Sequence, residues 1–84
     1  MPLKNVSRAV LTGILTRVRP ELLPILEAKE PDRSEVLEIL DVIGNELAAF
    51  GFDASSTPTA YGMLLERIID EVNRIGFEWV GARG

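Results

Sequence analysis

The stretch Thr57–Val80, TPTAYGMLLERIIDEVNRIGFEWV, combines a helix start signal, an apolar period, paired charges and a stop signal. Tyr61, Leu65, Ile68, Val72, Ile75 and Trp79 recur at spacings of 4, 3, 4, 3 and 4, which gathers them along one side of a helix. Thr57 is a natural cap and Pro58 a natural first residue, because the first turn leaves its N–H groups unpaired in any case. Arg67 with Glu71 and Asp70 with Arg74 are i,i+4 ion pairs suited to the solvated side. Gly76 is the expected stop. The spacing predicts a helix over about 58–75 with one buried face, followed by a tail at 77–84.

Moving towards the N-terminus, a second segment repeats this design. Asp32 or Ser34 suits a cap, and Glu35 and Glu38 favour the positive end of a helix dipole. Val36, Leu40, Ile43, Leu47 and Phe50 again follow 4, 3, 4, 3, so a helix is expected over about 33–50. Shifted by 25 residues, these positions fall on Tyr61, Leu65, Ile68, Val72 and Ile75, and Phe50-Gly51-Phe52 falls on Ile75-Gly76-Phe77. A glycine after the last turn takes positive φ in a left-handed cap and folds the next residue back onto the helix. Gly51 is therefore expected to be left-handed, with Phe52 and Phe77 in the core. Gly51–Thr57 is short enough to make the flanking helices antiparallel neighbours.

Asn5 or Ser7 is the expected cap of a first helix at about 5–19, with Val6, Val10, Ile14 and Val18 in one row beside Leu11 and Leu15. Pro20 and Pro24 forbid its straight continuation, since proline lacks an N–H and clashes with the preceding turn. A short helix at about 24–30 is expected before Pro31. Gly13, Gly44 and Gly62 fall inside these helices, where glycine costs about 1 kcal/mol against alanine, and close helix–helix approach is the expected reason.

Composition removes several chemistries. The 84 residues contain no cysteine and no histidine, so disulfides, thiolate nucleophiles, imidazole bases and ordinary zinc sites are out. Apolar residues make up 46% of the chain, too many for an acidic disordered tail. The longest charge-free run, Ala54–Leu65, is half polar and far short of the ~20 apolar residues needed to span a bilayer. A cytoplasmic protein is expected.

Charge is distributed unevenly. Residues 1–20 carry Lys4, Arg8, Arg17 and Arg19 without an acid, and the remainder is strongly acidic, for a net charge of −4. Those four cations are the candidate polyanion contacts, the basis of a nucleic-acid-binding alternative through phosphate contacts. Against it stand an acidic whole and no aromatic residue among the cations. Pairing with the acidic helices is the simpler expectation.

Carboxylates are the only remaining candidates for catalysis. Glu35, Glu38 and Asp41 share one helix and Glu66, Asp70 and Glu71 the other. Acids on facing helices can supply the oxygen ligands that Mg²⁺ requires. Glu35-x-x-Glu38, followed by Glu66 and Asp70, resembles in part the all-α nucleoside triphosphate pyrophosphohydrolases, which implies Mg²⁺-dependent nucleotide hydrolysis as a second alternative. The pattern departs from that family in two places: the second pair is spaced by four rather than three, and Ser34 stands where the first motif opens with a doubled acid.

Together these readings predict an all-α domain over 1–84, a small antiparallel bundle of three long helices and one short proline-bounded helix. A chain this short gains from a partner subunit. The expected function is non-catalytic protein–protein interaction, as a structural or adaptor module that is a homodimer, a higher oligomer or bound to a protein partner. No cofactor, metal or catalytic residue is expected. Leu37, Val42, Tyr61, Phe77, Trp79 and Val80 are the expected interaction surface.

Overall fold

The computed structural model describes residues 1–75. Within them the chain forms α1 (Asn5–Val18), a 3-10 turn (Pro20–Leu22), α2 (Leu23–Glu27), α3 (Arg33–Phe50) and α4 (Ala60–Asn73). The chain is all-α across these residues, and the β feature among them is an isolated bridge between Phe52 and Pro58. Gly76, Phe77, Trp79 and Val80 lie outside the described residues.

Local chemistry explains the start of α3. The Asp32 carboxylate accepts from the Glu35 N–H at 2.9 Å, and the Glu35 carboxylate accepts from the Asp32 N–H at 2.9 Å. This reciprocal box satisfies two donors that the first turn would leave bare. The Glu35 N–H and the Ser34 hydroxyl hold the Asp32 carboxyl below its ordinary range.

The other helix starts differ from the sequence reading, for reasons that are not local. At α1 neither Asn5 nor Ser7 caps. Lys4 occupies the N-cap position without a side-chain bond, and Ser7 is buried inside the first turn. At α4 the cap is Thr59, whose hydroxyl accepts from the Gly62 N–H at 2.9 Å. Thr57 and Pro58 are occupied elsewhere. The Asp53 carboxylate accepts from the N–H groups of Ser55 and Thr57, Asp53 N–H donates to the Thr57 carbonyl, and Pro58 pairs with Phe52. The connector is thus a tightly bonded turn that delays the helix by two residues.

The prolines act at first-turn positions. α1 ends as the Arg19 N–H closes on the Leu15 carbonyl, Pro20 opens the 3-10 turn, and Pro24 lies in the first turn of α2. Neither removes a helical hydrogen bond there. Ala28 is already extended, so α2 is shorter than the expected 24–30.

The core is aliphatic. Leu11, Ile14 and Leu15 meet Leu22, Ile25 and Leu26, then Val36, Ile39, Val42 and Ile43 of α3 and Leu65, Ile68 and Val72 of α4. α3 and α4 form the most extensive helix pair. On α1 the buried row is Ser7, Leu11, Ile14 and Leu15, while Val6 and Val18 are exposed. The stripe is rotated from the expected Val6–Val10–Ile14–Val18 row because a serine, satisfied by a distant carboxylate, holds a core position.

Gly51 is not left-handed. Its φ is −82° and its ψ −10°, ordinary helical values, and Phe52 is 43% exposed rather than folded back into the core. Its glycine serves crowding. A Cβ there would strike the Leu47 side chain and carbonyl, and a Cβ on Gly62 would strike the Gly51 carbonyl. The backbone at the end of α3 therefore touches the first turn of α4 with no side chain between. Gly62 fits the expectation of close approach. Gly13 and Gly44 do not, since a Cβ at either would meet open space among the described residues.

Candidate functional site

Two carboxylates carry the polar chemistry inside the fold. Glu46 of α3 is 6% exposed, and its Oε2 accepts from the Arg17 guanidinium at 2.6 Å and from the Tyr61 hydroxyl at 2.6 Å. One oxygen thereby joins α1, α3 and α4. Burial, then the bond to Glu46, then the Glu46 charge push the Tyr61 phenol up to about 12. Arg17 also lies over the Phe50 ring, 5.9 Å from its centroid, where the ring's negative face attracts a cation.

Glu71 of α4 is the second node. Its Oε1 accepts from the Lys4 N–H and its Oε2 from the Ser7 hydroxyl, both at 2.6 Å. A carboxylate from another helix thus supplies the cap that α1 lacks, with its charge at the positive end of the α1 dipole. No buried side-chain N or O among the described residues is left without a partner.

The four basic residues of the N-terminal segment are placed in different settings. Arg8 donates to the Leu26 carbonyl at 2.8 Å and to the Met1 carbonyl, with Glu27 4.0 Å away. Arg17 is committed to Glu46, and Arg19 to Glu21 at 2.8 Å. Lys4 is exposed. No shared basic face collects all four.

Of the six residues expected to form an interaction surface, Leu37 is exposed on α3 and Tyr61 is half-buried with its hydroxyl turned onto Glu46. Val42 is 5% exposed and belongs to the core, because the α3 stripe is wide enough to bury it. Phe77, Trp79 and Val80 fall outside the described residues. The structure brings forward further residues. Phe50 is 55% exposed and Val18 45% exposed, and together with Ala49 they line a cleft of about 370 Å³ between the ends of α1 and α3. Arg17, Arg19, Asp41, Val42, Asn45 and Glu46 complete its wall, so Val42 borders this cleft from the core side.

Periodicity assigned Val18 and Phe50 to core stripes, so apolar counting hid them. Glu46 did leave a signal: it stands three residues after Ile43, on the α3 stripe, where a lone acid needs a partner. Among the acids whose spacing suits Mg²⁺, Glu35 caps α3 and Glu71 caps α1. The described residues contain no group of three or more acids placed to hold a metal ion. None of the described helices is long and apolar enough to cross a membrane. No known protein family, curated protein or solved structure matches the chain.

Proposed function

We propose that this chain is a non-catalytic helical module that acts by protein–protein association, chiefly with further copies of itself. In this reading α3 and α4 run as an antiparallel pair, with α1 and α2 packed across them in one domain, and the setting is cytoplasmic. The observation that carries it is the pairing of two facts. The buried Glu46 and the half-buried Glu71 are engaged in structural bonds, while Phe50 and Val18 stay exposed at one cleft. Without histidine or cysteine, a catalytic reading needs a free, perturbed carboxylate. Exposed aromatic and aliphatic side chains gathered in one place are the raw material of an interface.

Arg17 and Arg19 are each paired with an acid of the chain and Arg8 donates to backbone carbonyls, which lends no support to phosphate binding, and the use of Glu35 and Glu71 as caps lends none to Mg²⁺-dependent nucleotide hydrolysis. Light scattering after size exclusion tests the reading. A mass of at least two chains at micromolar concentration is expected, and a strict monomer under those conditions would overturn it.

A further inference from the structure

The α1–α3 cleft has the makings of a self-complementary surface. Its apolar centre is Val18, Ala49 and Phe50, and its charges are balanced, with Arg17 and Arg19 against Asp41 and Glu46. A polyanion or an acidic peptide finds no net field in such a face. A twofold contact, by contrast, sets one patch against itself, so the patch must carry both signs around an apolar middle.

The arrangement of those charges sharpens this point. Glu46 neutralises Arg17 within the chain, so Arg17 can lose water at an interface without becoming an unpaired charge. Arg17 in turn lies over Phe50, which restricts the ring and lowers the ordering cost of docking it. Glu21, by its hydrogen bond, and then Glu38 and Asp41, by their fields, hold Arg19 more firmly in its charged form. Arg19 and Asp41 both line the wall, one of each sign.

We infer that this face is the contact between two copies of the chain, with Val18 and Phe50 of each copy at the centre and Arg19 of each copy facing Asp41 of the other. The inference rests on the self-association reading above and names its surface. Aromatic residues at the centre of a contact carry most of its energy, and charges at its edge set the register.

A charge-swap experiment tests it by analytical ultracentrifugation of the full chain. R19E sets a second carboxylate against Asp41 of the other copy, and D41R sets two cations together, so each variant alone is expected to weaken self-association at least about tenfold. Mixed in equal amounts, R19E and D41R are expected to recover wild-type affinity as a mixed dimer, because both contacts then pair opposite signs. F50S is expected to weaken the dimer in all combinations. Circular dichroism melts establish that each variant is folded before it is weighed. Wild-type dimers that survive R19E, D41R and F50S would overturn the face while leaving self-association standing. Failure of the mixture to recover affinity would overturn the Arg19–Asp41 register. A monomeric wild type would overturn both the face and the reading beneath it.

Discussion

Arg17 and Glu46 hold α1 to α3 through one 2.6 Å hydrogen bond, between an arginine that is 52% exposed and a glutamate that is 6% exposed. The asymmetry decides what a substitution does. Removing Arg17 strands a buried charge, whereas removing Glu46 frees an arginine that can reach water. R17M is expected to destabilise by about 1–2 kcal/mol, less than for a fully buried pair because Arg17 is half in solvent. Y61F is expected to cost about 1 kcal/mol for the lost hydroxyl bond. The double variant should lose more than the sum, since Glu46 then has neither donor. Urea denaturation of the four proteins measures the coupling, and strict additivity would show that the two donors act independently.

The helical glycines separate by sign. G62A drives a methyl group into the Gly51 carbonyl, and backbone cannot step aside as a side chain can. A loss of about 1–3 kcal/mol is expected, the usual range for overpacking. G13A and G44A add a methyl group to open space and should stabilise by up to about 1 kcal/mol through helix propensity alone. Thermal melts of the three variants check this, and a stabilising G62A would refute the close approach of α3 and α4.

Tyr61 offers a spectroscopic reading of its site because it is the chain's only tyrosine. Its folded pKa lies above the ordinary value of 10.0, at about 12. The fold therefore favours the neutral phenol. The sign is that of a raised group: its contribution is fully present below about pH 10 and is lost as the pH rises from about 10 towards 12. Phenolate absorbance should appear near pH 12 in the folded chain and near pH 10 in denaturant. A midpoint near 10 in the folded protein would show that Tyr61 does not meet Glu46.

The α1 cap supplied by Glu71 predicts local protection. In the wild type the Lys4 N–H should exchange slowly with solvent for a first-turn amide, because it donates to a carboxylate. E71A removes both bonds and is expected to cost about 1–2 kcal/mol, with S7A costing about 1 kcal/mol. Hydrogen exchange at Lys4 and Arg8 reads this out directly. Unchanged exchange in E71A would mean that α1 needs no cap from α4.

What was legible in the sequence was what neighbouring residues decide. Asp32, one of two caps expected for α3, does cap it through a residue three along the chain, and the row Leu65, Ile68 and Val72 is buried as its spacing predicts. What was not legible depended on partners far along the chain. Ser7 looks like a cap until Glu71, 64 residues away, makes it a core residue. Thr57 looks like a cap until Asp53 claims its N–H and carbonyl. Phe50 ends the apolar row of α3 yet is exposed, and the helical φ and ψ of Gly51 leave Phe52 exposed rather than folded back. Apolar period thus found the helices but not the face they leave uncovered, and that uncovered face carries the proposed association.

Amide chemical shifts recorded along a dilution series test that association most directly. Concentration-dependent shifts are expected at Arg17, Val18 and Arg19 of α1 and its C-terminal cap, and at Asp41, Asn45, Ala49 and Phe50 of α3, with Met63 on α4 unmoved as an exposed apolar control. Spectra that do not change across micromolar to millimolar concentration, or that change only away from this cleft, would contradict the account.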